Sequence, residues 1–465
     1  MFVEDKNQNG LGRIEVRTLE VPDFVILETA TYTVSGTVLL AYHKAGDPAD
    51  PDYRNIAVLN DDGGGFRNIF SGVIPQHQKA NGIRYMVFQD KRRVLLGDYV
   101  LECFPGIDNC ESTKLAPVAY PWNMEDDPQT TAHWSEIIIA PDNEHIAWTV
   151  LRNDIGAFAA LGKLVREGDR YIVSDARIIS TPEFMKKDPG RPGYIIPQVI
   201  RGGEVKQFVR GGTAISLVGN KDSPVTESVV QDLISEELVR ITNTPGYDET
   251  TIFSPDEKLG IVMSTRFSPK TDPAIFGLVP RPSYGVQGFI PYLYMYAVAG
   301  VRKFRKGNIG PVLIEIDRSL TDTQYRGVAL NDPEEEWVYH SPMSWHPGGK
   351  KVMWPEGLRG TGTMRIRIAE LPDYTPGPAV PARKTPAHIP YAEKDIGKIR
   401  ASRDPNIEGK IAGKHSGHIE FKKQSREGME SWEGSIEVRY VDFSDDGRNF
   451  YRGFEKSRYS VSAEN

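Results

Sequence analysis

The sequence predicts an all-β fold built from repeated four-stranded units, and two observations lead to this prediction. A pattern of strand, tight turn and strand recurs in "TTIFSPDEKLGIVMSTR" (250–266), "HWSEIIIAPDNEHIAWTVL" (133–151) and "SPMSWHPGGKKVMWPEG" (341–357), with proline or aspartate at the turns. Further alternating strands follow these hairpins, as in "GPVLIEIDR" (310–318). One such unit cannot bury both faces of its sheet, so repeated units of this kind are typical of a β-propeller.

The hairpins divide the chain into blades. One blade on each hairpin gives seven blades, over 24–72, 73–130, 131–195, 196–246, 247–334, 335–405 and 406–460. Six or eight blades are the alternatives, because 186–203 and the C-terminal unit are poorly periodic. The N-terminal stretch "GRIEVRTLEV" (12–21) alternates like a strand, and we expect it to pair with the C-terminal blade. Such a pairing closes the ring and removes a free sheet edge, so that residues 1–465 form one domain.

Two long segments interrupt the repeat. Residues 267–308 are an aromatic and proline-rich insertion in blade five, too apolar for a solvated loop. We expect this insertion to pack on the propeller, to cover its channel or to dock a protein partner. Residues 372–395 are also proline-rich, and their composition predicts an extended connection on the surface.

Composition and charge exclude several classes of protein. The formal net charge is -7 and the pI about 5.8, so the basic surface that nucleic acid requires is missing. No apolar run is long enough to predict a membrane span.

The two cysteines bear on localisation. Cys103 and Cys110 flank the turn-forming "FPGID". We expect a disulfide between them, and hence a periplasmic or secreted protein whose signal peptide is absent from this sequence; a cytoplasmic protein with two free thiols is the alternative.

One stretch carries a resemblance to a known family. "VRITNTPGYDETTIFSPDEKLGIVMSTR" (239–266) resembles the blade junction of the TolB-like, WD-repeat-like propellers, in which isoleucine or leucine and threonine precede a polar turn, "FSPDGK" and an apolar strand. Glu257 and Asn143 stand where that family favours glycine. The resemblance extends over most of the chain and implies the propeller fold. It also implies an enzyme analogy, since propellers similar to oligogalacturonate lyase hold histidines and a divalent metal in a central funnel.

Candidate site residues follow from where a propeller places its loops. The loops that enter the innermost strands surround one mouth of the channel, so their side chains meet although they are far apart in sequence. His133 lies eight residues before the turn residue Pro141, and His340 lies seven before Pro347. The full set of candidates comprises His77, His133, Arg210, Tyr247, Asp248, Glu249 and His340.

Two kinds of chemistry are compatible with these candidates. The predicted ligands of a divalent metal ion of unknown identity are His133, His340, Asp248 and Glu249. The predicted catalytic groups are His133, His340, His77, Tyr247 and Arg210, through proton transfer or carboxylate binding. The alternative is structural, because polar residues at these positions also cap loops and bond neighbouring blades.

The sequence therefore predicts a propeller enzyme with a histidine-lined funnel. Its expected activity is that of a lyase or hydrolase, with or without a metal, on a carbohydrate or another small polar substrate. The competing interpretation is a non-catalytic TolB-like module that binds a protein or a glycan. The sequence contains neither a G-x-S-x-G nucleophile motif nor a G-x-x-x-x-G-K-[ST] phosphate loop.

Overall fold

The computed structural model of the protein describes residues 2–3, 10–78, 85–180, 185–197, 204–219, 226–244, 246–277, 294–322, 324–402, 406–426 and 431–462. In these residues, antiparallel units of four strands pack against one another around a central channel, and a parallel strand pair joins two of the units into one eight-stranded sheet. The predicted all-β propeller is confirmed.

The first part of the chain supplies two short strands and sheets 1 to 3. The two strands are β1 (Phe2–Val3) and β2 (Ile14–Thr18). Sheet 1 contains β3 (Ile26–Tyr32), β4 (Val38–His43), β5 (Tyr53–Leu59) and β6 (Arg67–Val73). Sheet 2 contains β7 (Tyr85–Val87), β8 (Arg93–Leu96), β9 (Tyr99–Phe104) and β10 (Ser112–Ala119). Sheet 3 contains β11 (Thr130–Ile139), β12 (His145–Arg152), β13 (Gly156–Glu167) and β14 (Arg170–Ser180).

The second part supplies a hairpin, sheets 4 to 6 and a C-terminal sheet. The hairpin is β15 (Met185–Lys187) and β16 (Ile195–Pro197). Sheet 4 contains β17 (Val205–Val209), β18 (Ala214–Gly219), β19 (Glu227–Asp232) and β20 (Leu238–Arg240). Sheet 5 contains β21 (Asp248–Phe253), β22 (Leu259–Ser264), β23 (Gly310–Glu315) and β24 (Val328–Ala329). Sheet 6 contains β25 (Trp337–Tyr339), β26 (Ser344–Trp345), β27 (Lys351–Leu358) and β28 (Met364–Glu370). The C-terminal sheet contains β29 (Ile407–Ala412), β30 (Ser416–Arg426), β31 (Ser431–Ser444) and β32 (Tyr451–Ser462).

The helices are few and short. They are α1 (Asp272–Gly277), the helical segment α2 (Met295–Gly300, continued by Val301–Lys303), α3 (Ile316–Thr321) and α4 (Ile396–Ser402). Single turns of 3-10 helix occur at Ile107–Asn109 and Arg210–Gly212. No helix among the described residues is both long and apolar enough to span a membrane.

The hairpin turns explain the two departures from the family pattern. Asn143 and Glu257 have positive φ, 62° and 56°, and Gly349 has a φ of 70° in the corresponding turn of sheet 6. Glycine adopts this left-handed conformation without strain, whereas other residues do so at a cost of about 1 kcal/mol. The departures therefore change the cost of the turn and leave its shape intact.

Neighbouring sheets are joined by shared apolar clusters. Sheets 1 and 2, 2 and 3, 3 and 4, 4 and 5, and 5 and 6 each bury such a cluster between them. Met353 and Ile368 of sheet 6 then pack with Tyr32 and Leu40 of sheet 1. Because sheets 6 and 1 are in direct contact, no space is left for a blade between them.

The predicted count of seven blades is therefore corrected to six for the described residues. Residues 406–460, taken as the seventh blade, form the separate C-terminal sheet. Its apolar core contains Phe421, Ile436 and Val438, together with Ile195 of the β16 hairpin. The sheet thus covers its apolar face with that hairpin instead of with neighbouring blades, a difference that its strand and turn pattern alone could not reveal.

The position of the N-terminal strand is also corrected. β2 pairs with β28 of sheet 6, with Glu15 opposite Glu370 and Thr18 opposite Arg367. Among the described residues, the C-terminal sheet consists of β29 to β32. The strand itself was predicted, but its partner is the last sheet of the ring and not the last sheet of the chain.

The two predicted interruptions have defined positions. In the described part of the insertion, Ala297, Val298 and Val301 pack in the cluster between sheets 5 and 6; residues 278–293 lie outside the described residues. The proline-rich connection, 372–395, runs across the hairpin turns. The Val380 N–H donates to the Pro255 carbonyl at 2.8 Å, and the Arg383 N–H donates to the Gly211 carbonyl at 2.8 Å.

The expected disulfide is absent. Cys103 and Cys110 are unbonded and buried, in the apolar cluster between sheets 1 and 2. Burial and a hydrogen bond with the Cys110 thiol raise the pKa of the Cys103 thiol, so the Cys103 sulfur stays protonated. The disulfide prediction is wrong for this structure, and the argument for export that depended on it no longer holds.

Candidate functional site

Three consecutive inner strands place charged side chains on one part of the channel wall. Glu136 lies in β11 of sheet 3, Lys206 in β17 of sheet 4 and Glu249 in β21 of sheet 5. At each of these residues the pairing with the next strand shifts register, between Trp134 and Ile137, Val205 and Gln207, and Asp248 and Thr251. A β-bulge turns a side chain away from the regular alternation. The three bulges therefore direct these groups toward one another.

The Lys206 ammonium is the centre of this cluster. Its Nζ lies 2.9 Å from Glu136 Oε2, 2.8 Å from Glu204 Oε2 and 3.2 Å from Glu249 Oε1. The Lys206 side chain is 3% exposed, and Glu136 and Glu249 are 7% and 9% exposed. Ion pairs so far removed from water interact strongly, and removal of one partner leaves the others uncompensated.

Two aromatic side chains complete the hydrogen bonding. The Tyr247 hydroxyl donates to Glu249 Oε2 at 3.0 Å. The Trp134 indole donates to Glu204 Oε1 at 2.7 Å. The Lys206 cluster is defined here as Trp134, Glu136, Glu204, Lys206, Tyr247 and Glu249. Each of its carboxylates contacts the same ammonium, and two of them accept a second hydrogen bond from an aromatic donor.

Burial and the contacts within the cluster shift the pKa values of Glu249, Lys206 and Tyr247. Burial raises the pKa of Glu249 to about 7, with Lys206 acting in the opposite direction. Burial also acts against the charge of Lys206, but Glu136, Glu204 and Glu249 outweigh it and hold the pKa of Lys206 well above its ordinary value. Burial and the Glu249 charge raise the pKa of the Tyr247 hydroxyl. Near neutral pH, Lys206 is therefore charged, Tyr247 is protonated and Glu249 exchanges its proton.

A cavity of about 390 Å³ adjoins the cluster along the channel. Its wall includes Lys206, Phe208 of sheet 4, Trp345 of sheet 6 and Val380 of the proline-rich connection. This volume falls in the range of small-molecule sites, about 300–1,000 Å³. Lys206 thus borders a space that can hold a ligand, and its carboxylate partners lie directly behind it.

Two of the predicted site residues, Tyr247 and Glu249, belong to the cluster. Their neighbour Asp248 does not, because its side chain is buried on the other side of the strand. Asp248 Oδ2 accepts hydrogen bonds from Arg266 Nη2 at 2.8 Å and from Thr244 Oγ1 at 2.7 Å. Asp248 therefore has a structural environment in sheet 5.

His133 lies inside the wall between sheets 2 and 3 and not in the channel. Its ring packs edge-on against Tyr120, with centroids 5.1 Å apart, and its Nε2 lies 3.2 Å from the Trp122 carbonyl. Burial lowers the pKa of His133 to about 4. A neutral histidine in an aromatic cluster fits the structural alternative named for this residue.

The remaining three candidates lie in different places. His340 is half-buried, and burial together with the Arg302 charge lowers its pKa to about 3. Arg302 is held beside His340, because its Nε donates to the carbonyl of the neighbouring Tyr339 at 3.1 Å. His77 lines a separate pocket. Arg210 is exposed among the hairpin turns, where it pairs with Asp232 at 3.2 Å.

The predicted metal ligands do not form a set. His133 and Asp248 are each buried against other partners. In the described part of the chain, no three His, Cys, Asp or Glu side chains are grouped so as to hold a metal ion. The carboxylates that do converge have the Lys206 ammonium between them, and this position suits no metal ion.

Sequence reasoning missed Glu136, Glu204 and Lys206. Glu136 and Lys206 each lie three residues before the end of their inner strands, and the turn that follows Val209 has no proline from which to count. Their orientation depends on the bulges, and no sequence motif marks a bulge in these strands. A signal was present only in the charge itself, since Glu136 directly precedes three isoleucines and Lys206 stands in a short, mostly apolar strand.

No protein-family model and no curated protein matches the chain. Solved structures similar to it are β-propellers. A TolB from Agrobacterium tumefaciens is 11% identical over 65% of this chain and 80% of its own, with a TM-score of 0.36. TolB from Acinetobacter baumannii is 9% identical over 74% of this chain, which spans 63% of that protein, with a TM-score of 0.35. An α-L-arabinanase from Penicillium chrysogenum is 11% identical over 77% of this chain and 99% of its own, with a TM-score of 0.39. These likenesses concern the fold alone.

Proposed function

We propose that the protein is an enzyme that uses acid–base chemistry on a small polar substrate in the central channel, with Glu249 as the group that transfers a proton. The observation that supports this most strongly is the environment of Glu249. Its carboxyl group is buried, and its two oxygens contact the Lys206 ammonium at 3.2 Å and the Tyr247 hydroxyl at 3.0 Å. Such an arrangement fixes the carboxyl group and holds its pKa where a proton can be given and taken.

Glu136 is the natural second carboxylate. Glu136 and Glu249 contact the same nitrogen, at 2.9 and 3.2 Å, so their contacting oxygens lie within about 6 Å of each other. Hydrolases that cleave glycosidic bonds with retention use two carboxyl groups ~5–5.5 Å apart, one protonated and one ionised. In this pair Glu249, whose pKa is raised by burial, takes the role of the acid and Glu136 that of the second carboxylate. This division of roles favours a hydrolase over a lyase.

The charge of the cluster restricts the substrate. Three carboxyl groups surround one ammonium, and the Arg302 charge also acts on Glu249. The acidic groups balance or exceed the two cations, so the site has no excess positive charge with which to bind a uronate or another anion. The proposed substrate is a neutral carbohydrate or a similar polar molecule. This disfavours the lyase activity on acidic sugars that the family analogy suggested.

A non-catalytic binding propeller is the second candidate. The observation in its favour is that the charges of the Lys206 cluster are paired with one another across sheets 3, 4 and 5. Such a network can serve to hold three blades together. The channel or the insertion would then bind a glycan or a protein without turnover.

We expect Glu249→Gln to reduce the turnover of neutral oligosaccharides, measured as release of new reducing ends, by at least about 100-fold. The amide keeps the size and one hydrogen bond but cannot supply the proton. Because Glu249 must be protonated to act as an acid, the wild-type rate should fall as pH rises through about 7, the pKa of Glu249.

The matched control is Glu28→Gln. Glu28 occupies the equivalent bulge in sheet 1, where its carboxylate is 2.7 Å from Arg54, and burial also raises its pKa. This variant should keep the wild-type rate. Equal rates for Glu249→Gln and wild type would contradict the proposal, and glycan binding without turnover in both would support the binding propeller.

A further inference from the structure

A second pocket, of about 340 Å³, lies where the loops above sheets 2 and 3 meet. It is lined by residues that enter and leave these sheets, among them His77, Asp98, Tyr99, Asn123, Glu125 and Arg170. None of the Lys206 cluster residues lines it. The pocket is therefore distinct from the channel site.

Asp98 has an incomplete set of partners in this pocket. The residue is 5% exposed. Its Oδ2 accepts hydrogen bonds from the backbone N–H groups of His77 at 2.7 Å and Gln78 at 3.0 Å. Its Oδ1 has no hydrogen-bond partner in the part of the chain that the structure describes. A buried carboxylate oxygen without a donor costs stability, so this oxygen calls for a partner that binds from outside the chain.

The other charged groups of the pocket define what that partner is. Asp98, Glu125 and Asp126 supply three carboxylates, whereas Arg170 supplies the permanent cation. Asp126 accepts a hydrogen bond from Asn123 at 3.0 Å, and among the described residues no ion pair is formed by Glu125 or Arg170. The described lining of the pocket is therefore negative overall, and its buried oxygen is a hydrogen-bond acceptor.

We propose that this pocket binds a small molecule with a protonated amine, whose N–H groups donate to Asp98 Oδ1 and whose positive charge is balanced by Glu125 and Asp126. An ammonium has three donors and suits an acceptor-only site. The loop N–H groups already fix the Asp98 side chain through its other oxygen, so the acceptor is held in place before the ligand arrives. A metal ion is a poorer fit, since the described residues contain no grouped set of three ligands.

The test compares three probes of nearly equal size by titration calorimetry at neutral pH. Ethanolamine is a cation, ethylene glycol is neutral and glycolate is an anion. We expect ethanolamine to bind, and the other two to bind at least about tenfold more weakly, because each lacks a charge-assisted donor. Equal affinity for ethylene glycol, or no binding of ethanolamine, would overturn the proposal.

Variants then locate the site. Asp98→Asn should weaken ethanolamine binding about tenfold or more, and Glu125→Gln, an exposed substitution that leaves the fold unaffected, should weaken it by a smaller factor. Asp90→Asn is the matched control, because Asp90 belongs to the opposite end of sheet 2, where it pairs with Arg93 at 2.5 Å. Binding that is unchanged in both Asp98→Asn and Glu125→Gln would assign the probe to another site and sink the proposal.

Discussion

Replacing Lys206 with methionine should destabilise the protein by about 3–5 kcal/mol near pH 8. The ammonium of Lys206 is the shared partner of Glu136, Glu204 and Glu249, at 2.8 to 3.2 Å. Methionine keeps much of the volume but leaves three carboxylates facing one another in a buried site. Chemical denaturation of the variant and the wild type measures the difference.

The loss should depend on pH. Glu249 already has a folded-state pKa of about 7, above the ordinary value of 4.5, so its protonated form is the one that folding favours. Its contribution to stability is present below about pH 4.5 and is lost as pH rises through about 7. Without Lys206 the carboxylates hold their protons more strongly, and the penalty grows above neutrality. The difference between variant and wild type should therefore be smaller at pH 5 than at pH 8.

Lys163→Met is the matched control for this prediction. Lys163 pairs with Glu144 at 3.3 Å, but both side chains are 45% exposed. Exposed ion pairs contribute about 0–1 kcal/mol, so this variant should keep nearly the full stability. A Lys206→Met protein as stable at pH 8 as Lys163→Met would show that the Lys206 cluster is solvated and not a buried network.

Deleting residues 1–23 should prevent stable folding. This segment contributes β2, which pairs with β28, and it buries Leu11, Ile14, Val16 and Leu19. Burial of such side chains stabilises a protein by about 1.5–3 kcal/mol each, so the loss is comparable with the whole stability of a typical domain, about 5–15 kcal/mol. Circular dichroism during thermal unfolding measures the result.

Deleting only residues 1–9 is the control, since it leaves β2 and these four side chains in place. That shorter deletion should shift the unfolding temperature much less. If the chain that begins at residue 24 unfolds cooperatively at the wild-type temperature, the pairing of β2 with sheet 6 is not required for the ring.

The sequence predicts the fold through its turns. Pro141 and Pro255 mark hairpins that the structure contains, and the left-handed residues Asn143 and Glu257 preserve the turn where glycine was expected. The turn around 444–449 is equally regular, yet it belongs to the C-terminal sheet. Local turn chemistry indicates a hairpin, but it does not indicate which other sheet packs against that hairpin. For this reason the strands were predicted better than the blade count or the partner of β2.

The site was predicted only in part, because register decides which side chains face the channel. Tyr247 and Asp248 were found by their distance of eight and seven residues from Pro255, and Glu249 was included as their neighbour. His133 was found by the same rule, yet it packs against Tyr120 inside the wall. The bulge that follows Trp134 brings Glu136 to the channel instead. A shift of one residue exchanges the two faces of a strand, and a single sequence does not show where such shifts occur.

The titration of the Glu249 carboxyl group decides whether this residue can act as the acid. Carbon-13 NMR of protein labelled at the glutamate side-chain carboxyl, compared with the Glu249→Gln variant to assign the resonance, follows this group alone. We expect a midpoint near pH 7, because burial and the neighbouring carboxylates outweigh Lys206. A midpoint near the ordinary value of 4.5 would mean that Glu249 is simply an ionised partner of Lys206, and the acid–base role would be contradicted.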